Sequence, residues 1–300
     1  MPYFHKTLEY KKIRGEFDEA LKWIVYDQKV KIADTARLNK YKKDIDLITE
    51  SFYKGEMKKL LEKGMEPDMI SAFFEAQQII DIWKGLKDYP YNKSLSERLA
   101  RIMKGPHKTT EEKQGSRSAR DLGYELWLAS RFALCDYKIE FESKSDICVL
   151  TPERLLVECK RPEGKTDDSL YRNLKKAFRQ LEDSYKFHDE RGIAAVSINK
   201  IVRPEEKLLY SKDINSLNAT FVKFLEVFAD KTLHWWSKAS SDKRTLGVIF
   251  SIELPCYIKD LEQLTVGRHI LLATVDTQIE QDSSYFYKIA MGLKKSIVRT

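Results

Sequence analysis

The chain predicts an α/β protein, a mixed sheet flanked by helices with a helical region ahead of it. Three observations predict this class. Residues 1–104 are rich in Lys, Glu, Leu, Ala and Ile and show little β-branched alternation. After residue 117 the texture changes to short apolar runs separated by turn residues. From 118 to 198 the segments read in the order α-β-β-β-α-β, a pattern that argues for a mixed sheet with helices on its faces.

Each element has its own signal. Asp68–Leu86 (DMISAFFEAQQIIDIWKGL) carries apolar residues at every third or fourth position, the helical period, and Pro67 suits the first turn. Asn92 or Ser94 caps a following helix through Met103, stopped by Gly105-Pro106. The polar stretch 105–117 reads as a linker. We therefore expect a helical region at 1–115, for substrate or partner recognition, and a sheet domain at 116–300. In the latter, Ser118–Leu134 is a helix, and Lys138–Glu142, Asp146–Leu150 and Arg154–Lys160 are strands. Ser143-Lys144-Ser145 and Thr151-Pro152-Glu153 turn between them. Asp168–Phe187 is a second helix and Ile193–Ile198 a buried strand, followed by a helix at Ile214–Ser237 and strands at Leu246–Leu254 and His269–Val275.

Composition excludes several classes. With 42% hydrophobic residues the chain is too apolar for disorder, and 12 Gly and 8 Pro in 300 residues are too few for a fibre. No apolar run approaches the roughly 18 residues that span a bilayer, and the start MPYFHKTLEYKKIRGE has no apolar signal core. Cys135, Cys148, Cys159 and Cys256 form no CxxC pair. These features lead us to expect a reduced cytoplasmic protein with no membrane partner. The net charge of +7 begins to accumulate at 101–120, where six basic residues meet two acidic ones.

Chemistry concentrates in Arg154–Pro162, RLLVECKRP. Alternation along a strand puts Leu155, Val157 and Cys159 on one face and Leu156, Glu158 and Lys160 on the other. Charges at the end of an apolar strand are costly unless paired or metal-bound. A surface ion pair at the strand end is one reading. Asp146 supports another: it opens the preceding run, DICVL, and an antiparallel hairpin would bring it beside Glu158 and Lys160. Two carboxylates and a lysine converging at a strand end suit a hard cation such as magnesium.

This arrangement resembles the PD-(D/E)xK nuclease superfamily, which includes many restriction endonucleases, Holliday-junction resolvases and RecB-type nuclease domains. The matching residues are Asp146, Glu158, Cys159 and Lys160; Ser145 stands where the family often has proline. The element order over about 118–199 matches the restriction-endonuclease-like core. The resemblance implies magnesium, with manganese able to substitute, held by Asp146, Glu158 and the Cys159 carbonyl. Lys160 would orient the nucleophile or offset developing charge.

Two helices add candidates. Glu125 falls inside the apolar stripe of Leu122, Leu126, Ala129, Phe132 and Ala133, and a carboxylate there needs a partner. The family resemblance would give it a second metal; a salt bridge to Arg131 or Arg154 is the alternative. On the second helix, Arg172, Lys175, Lys176 and Arg179 form a basic face, either simply solvated or bound to phosphate. Gln180 matches part of the RecB-like Gln-x-x-x-Tyr motif, although Tyr185 lies one residue too far. Arg117, Arg120 and Arg161 complete the expected nucleic-acid contacts.

The expectation is a magnesium-dependent phosphodiester hydrolase acting on nucleic acid, most readily DNA, with bacterial defence as the analogy for its setting. Paired strand cuts in this superfamily often use dimers, so a homodimer or larger complex belongs to the expectation. The rival is a non-catalytic nucleic-acid- or protein-binding module in which Asp146, Glu158 and Lys160 form a structural ion cluster.

Overall fold

The computed structural model describes residues 10–33, 37–63, 67–105, 119–141, 144–151, 154–162, 167–187, 189–202, 208–239, 243–274 and 280–298. The chain begins with helices α1 (Tyr10–Lys22), α2 (Arg37–Tyr53), α3 (Met57–Glu62), α4 (Pro67–Leu86) and α5 (Lys93–Met103). The α-β-β-β-α-β order follows as α6 (Ala119–Ala133), β1 (Lys138–Glu140), β2 (Ile147–Leu150), β3 (Arg154–Lys160), α7 (Asp167–Ser184) and β4 (Arg191–Ser197). The chain continues through α8 (Asn199–Val202), β5 (Leu209–Ser211), α9 (Ile214–Ala239), β6 (Thr245–Ile258), β7 (Gln263–Thr274) and α10 (Glu280–Val298).

The seven strands form one mixed sheet. β1, β2 and β3 pair antiparallel in turn, β3 and β4 run parallel, and so do β4 and β6. β5 continues the same side of β6 beyond β4, and β7 lines its other side. The faces follow strand alternation. Leu155, Val157 and Cys159 point into a core shared with the N-terminal helices, α6 and α10. Leu156, Ala194, Val196, Val248 and Phe250 point into a second core under α7 and α9. Strands covered on both faces read as continuous apolar runs, and all 14 residues of β6 are buried.

The N-terminal helices belong to that structure rather than standing apart. One contiguous core runs from Tyr10 of α1 to Leu293 of α10. Tyr10 Oη donates to the Leu264 carbonyl of β7 at 2.6 Å. α4 presses so closely on α6 that a Cβ at Gly85 would lie 2.5 Å from the Ser130 carbonyl oxygen, so only glycine fits this crossing. Being walled by α4, α5 and the sheet, α6 is buried around nearly its whole circumference. The expected linker at 105–117 lies outside the described residues apart from Gly105. Among the described residues, no helix is long and apolar enough to cross a membrane.

Candidate functional site

The site is built on the β2–β3 hairpin. Ile147 pairs with Val157, so Asp146, one step before β2, faces Glu158 across the hairpin. Ser145 Oγ donates to the Ile147 carbonyl at 2.9 Å and shapes the approach to the strand. Asp146 Oδ2 accepts the Cys159 main-chain N–H at 2.9 Å. Lys160 Nζ stands 3.3 Å from Glu158 Oε2 and 3.8 Å from Asp146 Oδ2, and donates to the Cys159 carbonyl at 3.0 Å. Glu158 is 1% exposed and Asp146 6%. The cluster is thus a sequestered set of charges, not an ion pair running out to solvent.

Burial and the neighbouring Asp146 carboxylate push the Glu158 carboxyl up to about 8, against the counteracting Lys160. Near neutral pH the Glu158 carboxyl therefore keeps its proton. The Cys159 thiol is raised far above its ordinary range, first by burial, then by the charges of Asp146 and Glu125. That thiol is a packing group, not a nucleophile.

Glu125 is 3% exposed on α6. Its partner is neither Arg131 nor Arg154. Arg131 pairs with Asp81 at 3.5 Å, and Arg154 with Glu140 at 2.7 Å. Instead Arg98 of α5 places Nη1 3.4 Å from Glu125 Oε2 and donates the same nitrogen to the Asp146 main-chain carbonyl. Arg98 was missed in the sequence, although the signal exists. Leu95, Leu99 and Ile102 form the buried stripe of α5, and Arg98 lies three residues after the first and four before the last.

Gln180 does not join the cluster. The next residue, Leu181, packs at Gly192, the second residue of β4, which pairs with Leu156. Leu156 and Lys160 are four steps apart along β3, about 13 Å at 3.3 Å per step. Gln180 Oε1 is buried and takes no hydrogen bond among the described residues.

The expected nucleic-acid contacts divide. Arg172, Lys175, Lys176 and Arg179 are all exposed on α7. Arg120 is not a surface cation: it is 6% exposed and binds Glu75 through Nε at 2.8 Å and Nη2 at 2.7 Å, with Arg37 on the other carboxylate oxygen at 2.9 Å. The apolar packing of α6 carries it inward. Arg161 is largely covered and pairs with Asp121 at 3.2 Å. It lines a cavity of about 50 Å³ with Phe74, Glu75, Arg120, Lys200 and Leu254, next along the chain from Lys160. Arg117 lies outside the described residues.

Among the described residues, no group of three or more His, Cys, Asp or Glu side chains is arranged to hold a metal ion. Two carboxylates are nevertheless a sufficient protein contribution for magnesium, which keeps several waters and is commonly bound through one or two carboxylates plus substrate phosphate. The raised Glu158 carboxyl marks where positive charge is wanted, and the Cys159 carbonyl lies at the same end, accepting from Lys160. These residues fit the ion. No family model, no curated protein and no solved structure matches this chain.

Proposed function

We propose that the protein is a magnesium-dependent nuclease of the PD-(D/E)xK type, with its active site at the β2–β3 hairpin. The observation that carries this reading is the convergence of Asp146, Glu158 and Lys160, almost wholly buried, at one end of a hairpin. Asp146 and Glu158 hold the ion, with the Cys159 carbonyl as a further oxygen. Bound there, magnesium supplies a Lewis acid for the phosphodiester and a charge that favours attack by water. Asp146 is oriented by the Cys159 N–H, so its carboxylate is positioned before substrate arrives. Lys160, held between both carboxylates, places its ammonium where negative charge grows on the phosphate. The exposed cations of α7 supply sequence-independent attraction for a polyanion, and DNA is the substrate we favour.

The test combines cleavage with metal binding. DNA cleavage should require magnesium or manganese, and magnesium should raise the melting temperature in proportion to the logarithm of its concentration. Lys160→Ala should slow cleavage by roughly 10²–10³-fold while DNA affinity changes little. If cleavage is absent in the wild type and divalent ions leave melting unmoved, the cluster is a structural ion group and the chain is a binding module.

A further inference from the structure

A third carboxyl, that of Glu125, comes to this end of the hairpin paired with a guanidinium. Arg98 Nη1 lies 3.4 Å from Glu125 Oε2 and donates to the carbonyl of Asp146, bridging α6 to the start of β2. We infer that Arg98 is a built-in cation that occupies the place of a second metal, so that the site takes one divalent ion and Glu125 positions rather than ligates. This inference rests on the nuclease reading above.

The arginine is held, not draped over the surface. Its helix is capped by Asn92, whose side chain accepts the Leu95 N–H at 2.9 Å. Ser94 Oγ donates to the Phe141 carbonyl at 2.7 Å, and Ser96 Oγ to the Gln28 carbonyl at 2.6 Å. Leu95, Leu99 and Ile102 are buried beneath it. The Arg98 side chain itself is 14% exposed.

Space and charge lead to the same stoichiometry. A cation linking Glu125 to the start of β2 would need oxygens at about 2.0–2.6 Å, in the region the guanidinium fills. Among the described residues, with Asp146, Glu158 and Glu125 ionised, three negative charges stand with Lys160 and Arg98. One divalent ion leaves a single positive charge, which a phosphodiester neutralises. A second ion would leave three positive charges in a nearly dry site, an arrangement opposed by strong repulsion at low dielectric.

The experiment counts ions. The full chain is titrated with manganese by calorimetry, and bound manganese is quantified by electron paramagnetic resonance. Wild type should bind one ion, Arg98→Gln two, Arg98→Lys one, and Glu125→Gln one. The double variant Arg98→Gln/Glu125→Gln should return to one, because the second ion needs the released carboxylate. Two ions in wild type, or one in a folded Arg98→Gln protein, overturn the inference while leaving the nuclease reading intact. No ion in wild type overturns the nuclease reading and the inference together. If Arg98→Gln does not fold, wild type and Glu125→Gln decide alone: one ion in each supports the inference, and two falling to one shows that Glu125 is a ligand.

Discussion

Asp146 is tied to the strand it faces: its Oδ2 accepts the Cys159 main-chain N–H at 2.9 Å, between the two residues whose side chains share its site. The bond separates structure from chemistry in a single pair of variants. Asp146→Asn keeps an oxygen acceptor for Cys159 and removes the repulsion with Glu158, so metal-free melting should hold or rise. Asp146→Ala loses the acceptor and should cost roughly 1.5–3 kcal/mol, the range for hydrogen bonds to charged groups. Both should abolish metal binding and cleavage. Thermal melts without and with magnesium check this, and magnesium-dependent stabilisation of Asp146→Asn would refute the ligand assignment.

Glu158 gives the pH dependence. Its carboxyl is raised from 4.5 to about 8 by burial and by Asp146. Between those values the folded chain binds more protons than the unfolded chain, so this residue's contribution is full below about 4.5 and is lost as pH rises through 8. Metal-free stability should therefore decline across that window, and Glu158→Gln should flatten the decline. Magnesium displaces the proton, so its affinity should increase with pH up to about 8, with close to one proton released per ion near pH 7. Calorimetry in buffers of different ionisation enthalpy measures that release. An ion affinity independent of pH would count against Glu158 as a ligand.

The exposed cations of α7 act through salt. Arg172, Lys175, Lys176 and Arg179 face solvent, and no acid stands among residues 171–180. Each phosphate neutralised on duplex DNA contributes about 0.9 to the slope of log affinity against log salt. Replacing all four by alanine should lower that slope by up to four such steps and leave melting nearly unchanged. Arg120→Ala should do the reverse, since its guanidinium is buried on Glu75: melting falls, and the salt slope stays. An unchanged slope in the α7 variant would remove this helix from the binding surface.

What the sequence disclosed depended on whether a local signal existed. β3 was readable because RLLVECK is apolar with one alternating charged face, and Asp146 was readable because a short turn fixes the hairpin. β6 was expected to end at Leu254 but runs on to Ile258. Pro255 reads as a stop, yet it falls between Ser251, the last β6 residue paired with β4, and Cys256, the first paired with β5, so no strand on that side needs its missing N–H. Helix α10 was not expected, although Phe286, Ile289 and Leu293, all buried, stand at helical spacing. The stripe of α5 places Arg98 on its inner side, but its pairing with Glu125 and the inward turn of Arg120 depend on packing between α4, α5 and α6, contacts that no window of sequence contains. The same contacts make the N-terminal helices part of the core that carries the hairpin.

Asp81 of α4 tests that integration. Its carboxylate lies 2.8 Å from Arg268 of β7 and 3.5 Å from Arg131 of α6, and Arg268 also binds Glu253 of β6 at 2.9 Å. The side chains of Asp81, Arg131 and Arg268 are 3%, 0% and 10% exposed. Burial pulls Arg131 below its ordinary range, which shows how much the guanidinium depends on the acids around it. Breaking such a pair by removing one partner leaves uncompensated buried charge and typically costs about 3–5 kcal/mol. Asp81→Ala should therefore destabilise the whole chain in one cooperative transition, with signals from the helices and the sheet lost together. Asp81→Asn, which keeps an oxygen for the guanidiniums, should cost less. A two-step melt, in which the sheet survives after the N-terminal helices unfold, would show that those helices fold as a separate unit and that the Asp81 network does not join them to the site.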